Sequence, residues 1–333
     1  MRAWPLLLLV PAAALLLSRN SRPAGPAQRA TLAGKTFVVT GASSGVGRGT
    51  ALALASAGAN VAIAARRTEA LQELAQEMRE LGGTPLVVTT DVSDVAQMQA
   101  LAKRTLARFS VIDGWINNAG IAAIGLFEDV PLDDHLRLLD VNLKGAVTGS
   151  YLAMGQFRIQ GHGTLVNVAS VDSEIPHAYQ ASYSASKAGV LMLGRVLNEE
   201  LRLKRQPGVH VSTVMPWALD TPLWDHVANY TGHAARMPTM DDPQKVVDAI
   251  IQTLLHPRKE VAVGYKAKLA YYSHRVTPGL NERLSGLAIK KAEVEMNPAM
   301  ADTSGSFHAP VEAGQAVDGG IRERLREEQA GRV

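Results

Sequence analysis

The run Lys35-Thr36-Phe37-Val38-Val39-Thr40 leads directly into Gly41-Ala42-Ser43-Ser44-Gly45-Val46-Gly47, and no other stretch of the chain restricts its fold as strongly. From Thr36 the first segment is apolar or β-branched and short, which predicts a buried strand. An alanine-rich segment with Leu52 and Leu54 follows the glycines up to Gly58 and reads as a helix. Strand, glycine-rich turn and helix N-terminus together form a pyrophosphate site. Backbone N–H groups at the helix start face the anion, and glycine lets the chain approach it closely.

The same alternation continues along the chain. Asn60–Ala64, Pro85–Thr89, Val111–Asn117, Thr164–Val168, His210–Val214 and Val261–Gly264 read as further strands. Helical stretches separate them at Glu69–Leu81, Ser93–Phe109, Asp133–Arg158, Tyr183–Lys204 and Pro243–Leu255. Alternation of this kind implies α/β architecture, a doubly wound parallel sheet (Rossmann fold) covered on both faces. Residues 31–265 form this single domain. Lys266–Val276 and Asn281–Glu295, split by Pro278-Gly279, predict a helical extension over 266–296. Proline, glycine and small polar residues dominate Asn297–Gly320. Residues 297–333 are therefore expected to be disordered, with a charged helix at most over Ile321–Gln329.

Composition narrows the chemistry. The net charge is +3 with acidic and basic residues interspersed, which does not indicate a nucleic-acid partner. No cysteine is present, so disulfides, thiolate metal sites and cysteine nucleophiles are excluded. The nine histidines lack ligand spacing; His162, His177, His210, His226 and His233 read as surface or loop residues, and no metal is expected. Ala3–Leu17 is an apolar run interrupted by Pro5 and Pro11. Its fifteen residues reach ~22 Å as a helix, short of a ~30 Å hydrocarbon core. A signal peptide, a signal anchor, and a loose tail or wrong start codon are the readings open to it. Residues 1–30 are taken as a membrane-associated segment plus a Pro/Arg/Ala linker. Arg19, Arg22 and Arg29 after the run would keep the domain cytoplasmic.

Tyr183 and Lys187 stand at i and i+4, with Ser170 thirteen residues upstream. On a helix the two share a face, so the ammonium can approach the phenol. A free phenol has a pKa near ~10. A cation within ~4–6 Å lowers an acidic group by ~1–3 on that scale, into a useful acid/base range.

These segments resemble the short-chain dehydrogenase/reductase family, in its compact single-domain branch, over about residues 31–265. The resemblance rests on Thr40-Gly41-x-x-x-Gly45-x-Gly47, Asp91-Val92, Asn117-Asn118-Ala119-Gly120, Asn142 in Val141-Asn142-Leu143, Ser170, Tyr183 with Lys187, and Pro216 to Thr221. It implies an oxidoreductase that interconverts a carbonyl and an alcohol by hydride transfer. Ser170 would orient the substrate oxygen and Tyr183 exchange its proton. Lys187 would lower the tyrosine pKa and bind the nicotinamide ribose, and Asn142 would hold a water linking Lys187 to solvent. Thr40, Gly41, Ser43, Ser44, Gly45, Val46, Gly47, Asn118, Ala119, Gly120, Pro216 and Thr221 would contact the cofactor. Asp91 and Val92 would flank the adenine, although Asp91 also suits a helix N-cap.

Arg66 stands just past the second strand, where the adenosine ribose is read, and Arg67 follows it. A guanidinium there favours a 2′-phosphate, so NADP(H) is expected over NAD(H); two solvated arginines are the alternative. Trp217 replaces the glycine the family pattern carries after proline, which changes the pocket shape. Trp224, Tyr230 and Met237 fall in an expected substrate lid, and Tyr179 is expected to face substrate. Ala185, Ala188 and Gly189 would allow close pairing of subunits as a homodimer or homotetramer. The rival functions are a non-catalytic dinucleotide-binding regulator and a redox-neutral isomerase or dehydratase.

Overall fold

Adjacent residues of the central strands point to opposite sides, and that alternation sets the two faces of the molecule. On one side Val39, Ile63, Ile116 and Val166 pack with Leu54, Leu71, Leu74 and Ile250. On the other Val38, Ala62, Trp115 and Leu165 pack with Met98, Leu101, Phe157 and Leu201. A large apolar side chain contributes about 1.5–3 kcal/mol when it is fully withdrawn from water. The computed structural model describes residues 23–235, 237, 239–295 and 297–330. The apolar segment 3–17 lies outside the described residues. Among those described, no helix is long and apolar enough to cross a membrane.

The strands are β1 (Thr36–Thr40), β2 (Asn60–Ala65), β3 (Thr84–Thr89), β4 (Gly114–Asn117), β5 (Ala123–Ile124), β6 (Gly163–Val168), β7 (Val209–Pro216), β8 (Ala228–Asn229) and β9 (Glu260–Val263). Seven of them form one parallel sheet in the order β3-β2-β1-β4-β6-β7-β9. β5 and β8 pair separately. Helices α1 (Pro26–Ala30), α2 (Gly45–Ala55) and α3 (Thr68–Glu80) lie on one side of the sheet. α4 (Val95–Phe109), α5 (Leu132–Leu139), α6 (Gly145–Gln160) and α7 (Ala181–Lys204) lie on the other. α8 (Gln244–Leu255) returns to the first side, and α9 (Gly264–Val276), α10 (Pro278–Ile289) and α11 (Ile321–Ala330) complete the chain. The strand order reverses between β1 and β4, which opens a crevice at their C-terminal ends.

Three local features depart from expectation. The helix predicted over Asp133–Arg158 is broken by a π-helical turn at Asp140–Lys144. Asp94, not Asp91, caps α4, its carboxylate accepting from Ala96 and Gln97 N–H. The break between the two predicted helices falls at Thr277, and Pro278 opens α10, where its missing N–H costs nothing.

The tail differs most. Residues 297–330 pack on the domain, against the expectation of disorder. Their composition is poor in apolar residues, yet Phe307 is fully buried in the second core and Ile321 is buried as well. Backbone bonds reinforce these anchors, including Gly319 N–H to Asp220 O at 3.1 Å.

Candidate active site

The crevice at the β1–β4 switch opens into a cavity of about 800 Å³. The glycine turn lines it. Gly41 adopts φ +65°, and a Cβ there would lie 2.7 Å from Ala119 Cα. At Gly47 a Cβ would lie 2.2 Å from Gly41 O, so α2 sits hard against its own turn. Thr40 Oγ1 accepts from Asn118 and Ala119 N–H at 3.1 and 3.2 Å, and Asn118 Nδ2 donates to Thr40 O at 3.0 Å. These bonds lock the turn after β1 to the turn after β4. Ser44 is the N-cap of α2, yet its side chain caps nothing. The first N–H groups of the helix therefore depend on acceptors from elsewhere, and in this structure Gly45 N–H finds Ala316 O at 2.9 Å. Such a cradle fits the pyrophosphate of a dinucleotide.

To the same cavity β6 delivers Ser170 and the first turn of α7 delivers Tyr183. The Ser170 hydroxyl stands close enough to the Tyr183 hydroxyl to favour its ionisation, and it accepts from Asp172 N–H at 3.1 Å. Lys187 is buried, with Nζ 3.0 Å from Val168 O and 5.7 Å from the Tyr183 ring centroid. Asn142 is buried in the π-helical turn. Its Oδ1 accepts from Ile121 N–H at 2.9 Å, and its Nδ2 donates to Ile121 O at 2.9 Å and Ser186 Oγ at 3.2 Å. π-Helical turns of this kind often mark functional positions.

Electrostatics in the pocket run against the simple lysine–tyrosine picture. Burial raises the Tyr183 pKa above the ordinary phenol range, and the Asp172 carboxylate raises it further, while the Ser170 hydroxyl only partly offsets them. Burial draws Lys187 down to about 8, and Asp172 opposes that shift. The expected lowering of the phenol by the ammonium is therefore not what this pocket does: desolvation wins. Tyr183 is held as the neutral acid, the form that can donate a proton to a developing alkoxide.

A sequence profile of the short chain dehydrogenase family matches residues 35–230. The chain belongs to this family. It is similar to the uncharacterized oxidoreductase YxnA of Bacillus subtilis, 32% identical over 253 residues, which are 75% of this chain and 71% of that protein. The 3beta-hydroxysteroid dehydrogenase 1 of Eggerthella lenta is 35% identical over 194 residues, 58% of this chain and 73% of that protein. An alcohol dehydrogenase from the archaeon Thermococcus sibiricus, solved in complex with 5-hydroxy-NADP, matches with a TM-score of 0.58 at 26% identity, over 69% of this chain and 94% of that one. The chain is thus an oxidoreductase of the CH–OH/C=O class.

Most of the residues singled out from the sequence meet in this one cavity. Gly41, Ser43, Ser44, Gly45, Val46, Arg66, Asp91, Val92, Asn118, Ala119, Gly120, Ser170, Tyr183, Lys187, Pro216 and Thr221 all line it. Thr40, Gly47 and Asn142 stand behind the wall and hold others in place. The carboxamide of Asn142 is committed to Ile121 and Ser186, so it works first as a clamp on the β4 turn. Asp91 pairs with Arg137 at 2.6 Å. Burial raises the Asp91 carboxyl, but hydrogen bonds from Ser93 and Arg137 outweigh it and hold it below its usual range. Tyr179 does not line the cavity; at φ +65° it packs beside Ala122, Ile124 and Val227. In its stead His177 and Gln180 line it.

Asp172 and His177 carried no signal in the sequence. They lie 3.2 Å apart on the turn after β6, and only the fold sets them beside Ser170 and Tyr183. Asp172 raises both Tyr183 and Lys187, so Asp172→Asn lets both pKa values fall. A reaction that needs the Lys187 ammonium is complete below its pKa and fades as pH rises through about 8. In Asp172→Asn the alkaline limb of the pH–rate profile should move to lower pH. The variant also takes the carboxylate charge from beside His177, so His177→Gln serves as the control that leaves the limb in place. An unmoved limb in Asp172→Asn would remove the assigned coupling.

Proposed function

We propose that the chain reduces a carbonyl on a bulky, largely apolar skeleton with NADPH, or oxidises the matching alcohol, using Tyr183 as the acid/base. One observation carries this reading: the Ser170–Tyr183–Lys187 cluster and the glycine cradle line a single cavity. Gly41, Ser43, Ser44, Gly45, Val46 and Arg66 would hold NADP(H), which supplies the hydride. Ser170 donates to the substrate oxygen and orients it. Tyr183 Oη passes its proton to that oxygen as the carbonyl carbon is reduced, and takes it back in the oxidation. Lys187 holds positive charge beneath the phenol, on the Val168 carbonyl.

The skeleton follows from the walls. Ile124, Ile175, Trp224, Met237 and Leu269 line the substrate side, and Asp172 with His177 supplies a polar pair. The Trp217 indole is pinned by its N–H to Thr239 O at 3.0 Å and forms a flat wall. A hydroxysteroid dehydrogenase among the relatives is consistent with substrates of that size and polarity. The reading also takes the chain as a homo-oligomer, for which exposed Tyr151, Met192 and Val196 on α6 and α7 offer an apolar face; a monomer in sedimentation would remove that part.

The test is NADPH oxidation against a panel of apolar ketones and aldehydes, followed by cofactor preference in Arg66→Asp. Arg66 lines the cavity. A charge-assisted hydrogen bond contributes about 1.5–3 kcal/mol, so losing the one to a 2′-phosphate should shift the NADPH/NADH preference about ten- to a hundredfold. An unchanged preference removes NADP(H) from the assignment. Tight NADPH binding with no turnover across the panel would favour the non-catalytic regulator.

A further inference from the structure

The C-terminal segment crosses the cofactor end of the cavity and is fastened on both sides of it. On the near side Phe307 is buried in the core, its carbonyl accepting from Arg66 Nη1 at 3.2 Å and Arg137 Nε at 3.1 Å. On the far side Asp220 caps α11 across the fold: its carboxylate accepts from Ile321 N–H at 2.9 Å and from Arg322 N–H at 2.8 Å. Arg322 Nε adds a third bond to it at 3.1 Å. Between these anchors residues 308–320 carry no fully buried side chain.

What holds that middle stretch is polar and borrowed from the dinucleotide end. Arg67 is buried, and its Nη1 donates to Val311 O and Ala313 O, both at 3.0 Å. The same guanidinium grips Ser43 Oγ and Ser43 O in the glycine turn. The Gly45 N–H, first in α2, donates to Ala316 O at 2.9 Å. His226 Nε2 meets Ala313 O at 2.7 Å. Pro310 and Val311 meanwhile line the same cavity as the glycine turn.

We propose that residues 308–320 are a hinged strap that gates the dinucleotide site, with Arg67 as its tether and Asp220 as its latch. The proposal rests on the reading that this site takes NADP(H). A segment with buried ends and a middle held by a few hydrogen bonds opens locally at a small fraction of the cost of unfolding. With the strap down, Pro310 and Val311 line the cavity; with the middle lifted, the Gly45 N–H is released. Arg67 donates to the strap and to Ser43 at once, so it serves as a tether, whereas Arg66 donates through Nη1 and Nη2 to the carbonyls of Phe307 and Ser306 at the near anchor. A gate changes the rate at which cofactor enters and leaves, in the same direction for both.

The experiment follows NADPH fluorescence on the full chain by stopped flow, in association and in a chase with excess NADP⁺. Asp220→Ala removes the latch. Each charge-assisted bond lost loosens the strap about tenfold, so association and release should both quicken at least about tenfold. The opposite variant locks it. A Cβ at position 49 would lie 3.2 Å from Val317 Cγ1, within disulfide reach, and Val247→Ala relieves its 2.7 Å approach to Val247 Cγ2. Gly49→Cys/Val317→Cys/Val247→Ala has no other cysteine to scramble with. When oxidised it should exchange NADPH at least about tenfold more slowly than when reduced, on the same folded molecule. Rates within twofold of each other in both comparisons overturn the gate. So does a lock that weakens affinity without slowing release, which would make the strap a plain competitor. Failure of the parent chain to bind NADPH at all strikes the functional reading instead.

Discussion

Tyr183→Phe is expected to lower kcat for the true substrate by ~10²–10⁴-fold, the usual worth of a positioned general acid, while leaving NADPH affinity within a few-fold of the parent. The substitution removes one oxygen and keeps the ring, so the packing of Tyr183 with Ile124 and Val227 survives. The proton source is what disappears. Burial and the Asp172 carboxylate hold that phenol above its ordinary range, so at neutral pH the parent is uniformly in the donating form. The loss should therefore be flat between pH 6 and the Lys187 transition near 8, not a displaced titration curve. NADPH titration by fluorescence together with single-turnover absorbance at saturating substrate separates binding from chemistry. Retained turnover would end the assignment of Tyr183 as the acid, and a lost cofactor would make the effect structural.

The difference between what could and could not be read beforehand is one of range. The β1 turn, Tyr183 with Lys187, and the seven sheet strands are local patterns, and each lies within a few residues of its own explanation. The sign of the Tyr183 shift was not legible, because it depends on desolvation by walls from many elements and on Asp172, eleven residues away. Asn142 was found as a residue, but its bonds to Ile121 depend on a π-helical turn that has no composition signal. The tail misled for a clear reason. Low apolar content argues against an independent core, yet a segment needs no core of its own when Phe307 enters the core of the domain and Asp220 caps its last helix. Arg67 showed only as a second basic residue, and its five donors became informative once the carbonyls of residues 311–314 were placed around it.

Gly47→Ala is expected to weaken NADPH binding by at least about a hundredfold and to destabilise the fold by about 1–3 kcal/mol, the range for forcing one extra methyl into a packed site. The added Cβ would meet Gly41 O at 2.2 Å, Asn118 Nδ2 at 2.5 Å and Gly41 C at 2.8 Å. Two of these are backbone atoms of a turn that Thr40 and Asn118 lock to β4, so the turn cannot yield. The helix must move instead, and its first N–H groups withdraw from the place where a pyrophosphate would sit. Gly155→Ala supplies the contrast within one molecule. Gly155 also lies inside a helix, but nothing stands within 4 Å of its Cβ position. There the same methyl should stabilise by about 0.5–1 kcal/mol through helix propensity alone. Thermal unfolding by circular dichroism and NADPH fluorescence titration read both variants. Opposite signs in stability, with binding lost only in Gly47→Ala, would trace the effect to close approach at the cradle. Parental affinity in Gly47→Ala would show that the dinucleotide does not depend on that approach.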